Sequence, residues 1–376
     1  MLETVAVENY RSLRHLIVPL ARCNVVTGPN GSGKSSLYRA LRLVADSARN
    51  GAVNALAREG GLPSTMWAGP GKKGPVSLKL GFGGDDFGYA MDLGIPKPGI
   101  SKFAFDPEIK TESIWMGPSL RPSCLIADRS GPAVRIRNIE GEWRTASTEL
   151  RPFDSMLSEL ADPQAAPELL ALRDRMRSWR FYDHVRTDAG APARQSQIGT
   201  RTTVLSHDGA DLAAALQTVD EIGDSDALAG AIESAFPGSR LEIHCRDARF
   251  EVALRQPGMM RALTATELSD GTLRYLFWAA ALLTPRPAEL TVLNEPESSL
   301  HPDLLLALAG LIARASESSQ LIVVTHSAAL VAHLERCRTE LHGHLNTIAL
   351  TKADGQTAIV GQGMLDQPPW HWPARG

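Results

Sequence analysis

The sequence predicts an α/β fold with a mixed core sheet, an antiparallel β portion on one side and a helical lobe. Three observations carry this. Between Cys23 and Arg49 a short apolar strand runs into a glycine-rich loop and then an amphipathic helix. Between Val76 and Pro96 apolar and polar residues alternate on both sides of a Gly-Asp turn. Two apolar strands, Glu289–Leu293 and Gln320–Thr325, flank a helical stretch at Pro302–Ala315, the rhythm of parallel pairing.

The remaining elements follow in chain order. Leu2–Val7 alternates, and His15–Leu20 is a second strand before the buried CNVVT of Cys23–Thr27. The helix Lys34–Arg49 gathers Leu37, Ala40, Leu41 and Val44 on one face. In the Val76–Pro96 hairpin the turn falls on GGDD. Strands are expected at Ser123–Asp128 and Ala133–Ile139, a helix at Gln164–Met176, and a loop at Asp188–Gln197 from its Gly, Pro and Ser content. Asp211–Ala235 reads as helix broken near Gly223, followed by strands at Arg240–His244 and Phe250–Arg255. Thr272–Leu283 is apolar nearly all round, which predicts a buried helix. Thr347–Gln362 reads as a hairpin around Asp354-Gly355, with an irregular tail.

Composition narrows the function. A chain of 376 residues with 43% apolar and 22% charged residues is an ordinary globular protein with ample core. Its net charge of -3 gives no support to a strongly basic nucleic-acid binder, although a local basic stripe can hide within such a total. Four scattered cysteines without a CxxC point to a reducing compartment. The opening MLETVAVENYRSL lacks the apolar core of a signal peptide, and Tyr275–Leu283 is far too short to span a bilayer. A cytoplasmic protein without a membrane partner is expected.

The chemistry starts at Gly28–Ser35, GPNGSGKS, a full match to G-x-x-x-x-G-K-[ST] between a strand and a helix. Glycines let backbone N–H groups curl around phosphates, and the helix N-terminus adds its positive end. Asn30, Gly31, Ser32, Gly33, Lys34, Ser35 and Ser36 are the expected nucleotide contacts. Lys34 reaches the β- and γ-phosphates, and the Ser35 hydroxyl takes a Mg²⁺ position.

The C-terminal third narrows the class. LSDGT at Leu268–Thr272 resembles the ABC signature, in which Ser269, Gly271 and a helix N-terminus would grip the γ-phosphate of the opposite subunit. The same string also reads as a plain N-cap, Ser269 capping with Asp270 in the first turn. LSHDG at Leu205–Gly209 is a second, less well placed copy. LTVLNEPESSLHP at Leu290–Pro302 resembles a Walker B strand followed by a D-loop, with Glu295 in the general-base position. Thr325-His326-Ser327 resembles the switch histidine that senses the γ-phosphate.

In this order, the motifs resemble the SMC/RecF/OLD-like branch of ABC ATPases more than transporter subunits. NYRSL at Asn9–Leu13 is similar to that branch's opening strand, where a basic residue near Arg11 lies by the nucleotide. The resemblance covers roughly residues 1–50 and 265–330. It implies one ATPase head over 1–376: a phosphate-loop core at 1–60, a β-rich portion with inserts at 61–205, a helical lobe with signature, Walker B and switch at 206–345, and a hairpin and tail at 346–376. It also implies ATP and Mg²⁺ as cofactors, catalysis by Glu295, Lys34 and His326, and an ATP-bound homodimer. DNA maintenance or repair and phage defence, with an effector protein or DNA as partner, are the roles it brings. A nucleotide-gated scaffold with little turnover is the alternative, and a transporter energy subunit fits least.

Three departures matter. Asn294 stands where the family has aspartate, so Mg²⁺ would be held through water by a neutral oxygen; restoring the charge there should lower the Mg²⁺ requirement unless Glu297 already supplies it. No glutamine stands in an obvious Q-loop, with Gln164 the nearest candidate. With no long heptad stretch in the sequence, long coiled-coil arms are not expected, nor is an added nuclease module. Elsewhere, Arg180, Arg186, Arg194 and Arg201 surround a loop that either contacts phosphates or is simply held by Asp183 and Asp188. His333 and Cys337, with His342 and His344 nearby, lack the usual zinc spacing. Trp370 and Trp372 are expected to pack on the body or on a partner.

Overall fold

The computed structural model describes residues 1–49, 51–69, 75–97, 99–138, 140–160, 162–164, 166–183, 185–337 and 344–374. They form two compact units: residues 1–21, 26–179 and 347–376, and residues 22–25 and 180–346.

The first unit opens with β1 (Leu2–Tyr10) and β2 (Leu13–Pro19). Strand β3 (Cys23–Thr27), whose residues divide between the units, leads to α1 (Lys34–Ser47), α2 (Ala52–Arg58) and α3 (Leu62–Thr65). Then come β4 (Leu78–Gly84), β5 (Phe87–Gly94), β6 (Glu108–Met116), β7 (Leu125–Ser130), β8 (Ala133–Arg137), β9 (Trp143–Ser147), α4 (Met156–Glu159) and α5 (Pro167–Ser178). Strands β1, β2 and β4 to β9 make one eight-stranded antiparallel sheet in the order β2-β1-β4-β5-β6-β7-β8-β9. The expected GGDD turn is tighter than its composition indicates. Gly83 and Gly84 stay in β4 because they pair with Thr4 and Leu2 of β1, leaving Asp85 and Asp86 to turn the chain.

Strands β6 and β9 were not anticipated. Every residue of β9 is exposed or half-buried, so no apolar alternation marks it. Strand β6 carries a charge inward instead. Glu112 and Arg129 are fully buried 3.2 Å apart, and the carboxylate also accepts from the Tyr89 hydroxyl (2.6 Å), the Ser155 hydroxyl and the Met156 N–H (2.8 Å). Arg129 donates in turn to the carbonyls of Gly131, Arg151 and Asp154. Such a pair is tolerable only when its remaining lone pairs and protons are satisfied this way. The tail covers the same sheet: Trp370 packs edge-on against Trp115 at 5.7 Å and against Trp372 at 5.2 Å.

The second unit carries β10 (Arg180–Tyr182), β11 (Gln197–Ile198), α6 (Leu212–Ile222), α7 (Ser225–Ala235), β12 (Arg240–Arg246), β13 (Arg249–Arg255), β14 (Leu263–Thr264), α8 (Asp270–Leu282), β15 (Leu290–Asn294), α9 (Leu304–Ser316), β16 (Gln320–Val324) and α10 (Ala328–Arg336). The break near Gly223, the β12–β13 hairpin and the strand–helix–strand run all stand as read from the sequence. Strand β15 pairs in parallel with β16 on one side and β10 on the other. The start of β3 joins through Arg22, whose carbonyl accepts from Leu321 N–H, and Asn24, whose amide donates to the Leu321 carbonyl. Helix α8 fills the core with Tyr275, Leu276, Phe277 and Trp278, each contributing roughly 2–3 kcal/mol of gross burial. The expected hairpin is β17 (Leu345–Ala353) and β18 (Gln356–Ile359). Among the described residues no helix is long and apolar enough to cross a membrane.

Candidate functional site

In the first unit the phosphate loop, Gly28–Ser35, joins β3 to α1. Gly28 and Gly33 adopt φ of 143° and 107°, and a Cβ would lie 2.3 Å from the Leu350 carbonyl oxygen at the one and 2.1 Å from Thr357 Oγ1 at the other. Only glycine lets the loop close here. Helix α1 begins without a side-chain cap and without an acidic residue in its first turn. Its leading N–H groups and dipole therefore suit an anion. Lys34 is buried and its ammonium donates to the carbonyls of Gly28 (2.7 Å) and Pro29 (3.2 Å). Ser32 Oγ is buried with no hydrogen-bond partner among the described residues, while Asn30, Gly31 and Ser35 are exposed and Ser36 is half-buried. An unpartnered hydroxyl, an uncapped helix and an ammonium on one loop fit a polyphosphate.

A residue that sequence reasoning passed over pins this loop. Thr357 of β18 is buried, and its Oγ1 lies 2.8 Å from the Ser32 carbonyl oxygen and 2.8 Å from Ser12 Oγ. Its N–H donates to the Ser12 carbonyl. Arg11, next to Ser12 in the β1–β2 turn, has a left-handed φ of 51° and pairs with Glu59 at 2.8 Å. Its guanidinium is thus already engaged, and the turn it occupies is tied to the loop through Thr357.

The second unit holds the other candidates. Ser269 is the N-cap of α8, accepting from Thr272 N–H at 3.1 Å, so its capping role is realised. Ser269 is also exposed at that helix N-terminus, which leaves room for the signature role. Gly271 packs closely on the Ser299 carbonyl of the SLHP turn. Arg194, from the arginine-rich segment, is buried beneath the signature and donates to the carbonyls of Thr187, Ala265 and Leu268 and to Asp270 at 2.6 Å. Its neighbours are ordinary: Arg186 pairs with Asp188, and Arg201 lies 4.0 Å from Glu221. The other serine-glycine string, at Leu205–Gly209, is a turn whose Ser206 binds Asp211.

At the end of β15, Asn294 donates its side-chain amide to Asp183 at 2.7 Å, and Glu295 follows with a left-handed φ of 48°. A non-glycine residue held there costs of order 1 kcal/mol or more, a strain that clusters at functional sites. His326 Nδ1 lies 3.7 Å from Glu295 and 3.4 Å from Glu297. Glu297, offered by the sequence as a second charge for the metal, is buried, and its Oε2 has no hydrogen-bond partner among the described residues. Its Oε1 accepts from the Thr325 hydroxyl (2.5 Å), His326 N–H (3.1 Å) and Ser327 N–H (3.3 Å), so it shapes the switch turn.

Asp183, Asp270, Arg274, Asn294, Glu295 and Ser298 line a cavity of about 440 Å³ within the second unit. Asp183, Asn294 and Glu295 each offer it side-chain oxygens. These are the hard donors that Mg²⁺ takes. Gln164 sits exposed in a turn of the first unit, where its N–H donates to Asp162. Among the described residues no cluster of three or more His, Cys, Asp or Glu side chains could hold a metal by itself, and His342 lies outside them.

Residues 138–332, more than half of the chain, match the family described as AAA domain, putative AbiEii toxin, Type IV TA system. The chain belongs to this AAA family. Residues 1–65 also match the AAA ATPase domain. No curated protein matches the chain. Among solved structures, the fold of this AAA protein is similar to an SMC head bound to the C-winged helix domain of ScpA, at 14% identity and a TM-score of 0.52, covering 96% of this chain and 98% of that one. It is similar too to the Pyrococcus furiosus SMC head with an extended coiled coil bound to the C-terminal domain of ScpA, at 13% identity and a TM-score of 0.50, covering 96% of each chain. By its family models it is an ATP-binding AAA ATPase, and its fold is similar to that of SMC heads.

Proposed function

We propose that this AAA protein is a slow ATPase acting as a nucleotide-operated switch, its whole length serving as one head that dimerises around two ATP. The observation that carries the reading is the phosphate loop, with Lys34 among its own carbonyls, a buried and unpartnered Ser32 hydroxyl and an uncapped α1. In the proposed reaction Lys34 neutralises phosphate charge and Glu295 accepts a proton from the attacking water. His326 orients Glu295 and senses the γ-phosphate. Mg²⁺, when bound with the nucleotide, neutralises charge on the β- and γ-phosphates. Ser35 would hold it, with Asn294 acting through water. Ser269 and Gly271 would serve the nucleotide of the second copy, and hydrolysis would release the pair.

The family description, a putative toxin of a Type IV TA system, supports phage defence with a partner protein, and the SMC heads support DNA maintenance. The scattered cysteines fit a reducing, cytoplasmic setting. A scaffold with little turnover is the second reading, favoured by the neutral Asn294 in the Walker B strand. Titration calorimetry with ATP tests the central claim. The unaltered protein should bind ATP, and Lys34→Ala should lose measurable binding while keeping its circular dichroism and melting profile. Unchanged affinity in a folded Lys34→Ala overturns it.

A further inference from the structure

The neutral residue in the Walker B strand has a charged neighbour one strand away. Strands β10 and β15 run parallel with Tyr182 opposite Leu293, so the next residues, Asp183 and Asn294, emerge side by side. They do so at the carboxyl ends of the strands, where ligands of open α/β sheets bind. The Asn294 amide donates to Asp183 Oδ1 at 2.7 Å, and both residues line the cavity that Glu295 also faces.

The chemistry of the pair accounts for both identities. Aspartate at 294 would set two carboxylates in contact with no donor between them, losing the hydrogen bond that asparagine makes there. Asparagine has the same shape and presents an N–H, so it donates to Asp183 and fixes its orientation. Mg²⁺ is commonly held through one or two carboxylates together with substrate phosphates, keeping several waters. Asp183, just past the end of β10, is a carboxylate that can serve this way.

We propose that Asp183 supplies the carboxylate for the nucleotide's Mg²⁺ and that Asn294 is its positioning residue. The acid has changed strands and has not been lost. This rests on the ATP-binding reading above. It also reverses the expectation that a neutral residue 294 leaves the metal without charge.

The test is an exchange of the pair, read by binding. ATP affinity is measured by calorimetry with Mg²⁺ and with EDTA, and Mn²⁺ held in the ATP complex is followed by electron paramagnetic resonance. The ratio of the two affinities should fall about tenfold or more in Asp183→Asn, with weaker Mn²⁺ retention. The double variant Asp183→Asn/Asn294→Asp keeps an amide–carboxylate pair and returns the acid to β15, so it should regain most of the ratio and the Mn²⁺ signal. A ratio unchanged in Asp183→Asn, or lost there and not regained by the exchange, overturns the proposal. Absence of ATP binding in the unaltered protein would instead overturn the nucleotide reading on which it rests.

Discussion

Thr357 Oγ1 lies 2.8 Å from the carbonyl oxygen of Ser32, linking the last strand of the chain to the middle of the phosphate loop. The same oxygen lies 2.8 Å from Ser12 Oγ, so one hydroxyl ties the β1–β2 turn to the loop as well. Thr357→Val keeps the shape and removes these bonds. The expected loss is about 1 kcal/mol of loop anchoring, roughly fivefold in ATP affinity, with the fold retained. Calorimetry giving the same affinity in both proteins would show the link to be incidental.

Dimerisation is read through the signature. Because Ser269 is assigned to the nucleotide of the second copy, Glu295→Gln with ATP should accumulate a dimer by slowing hydrolysis. Adding Ser269→Arg should return the mass to that of one chain. Light scattering with and without ATP measures both, and a mass indifferent to nucleotide in Glu295→Gln, or an ATP-dependent dimer that persists in the double variant, sinks the head-to-head model.

Glu297 separates switch from metal. Its Oε1 receives three donors from Thr325, His326 and Ser327. Glu297→Gln halves its acceptor capacity and weakens bonds that charge makes roughly twice as strong. Turnover should fall severalfold while the Mg²⁺ concentration for half-maximal rate stays put. A shift in that concentration would return Glu297 to the metal site.

Arg194 bears on stability. Its buried guanidinium serves the carbonyls of Thr187, Ala265 and Leu268, and Arg194→Ala leaves them without that donor. The cost should be about 3 kcal/mol, lowering Tm by roughly 6–12 °C. A melt within about 2 °C of the parent would mean that water replaces the side chain at little cost.

What the sequence determined by itself was the chemistry that is local along the chain. Gly28, Gly33, Lys34 and Ser35 lie on one loop and the start of one helix, so their spacing alone carries the proposed phosphate site. Strand β15, α9 and β16 were legible for the same reason, since each shows its own periodicity within a few residues. Tertiary structure decided everything that depends on residues meeting from far apart. Strand β10 has three residues, too few for a pattern, and it becomes a strand because β15 offers it a parallel ladder. Glu112 reads as a surface charge until β7 brings Arg129 against it. The pairing of Asp183 with Asn294 spans 111 positions and that of Thr357 with Ser32 spans 325. A single hydrogen bond leaves no periodic trace in either segment, so only the folded chain reveals which carboxylate stands beside Asn294.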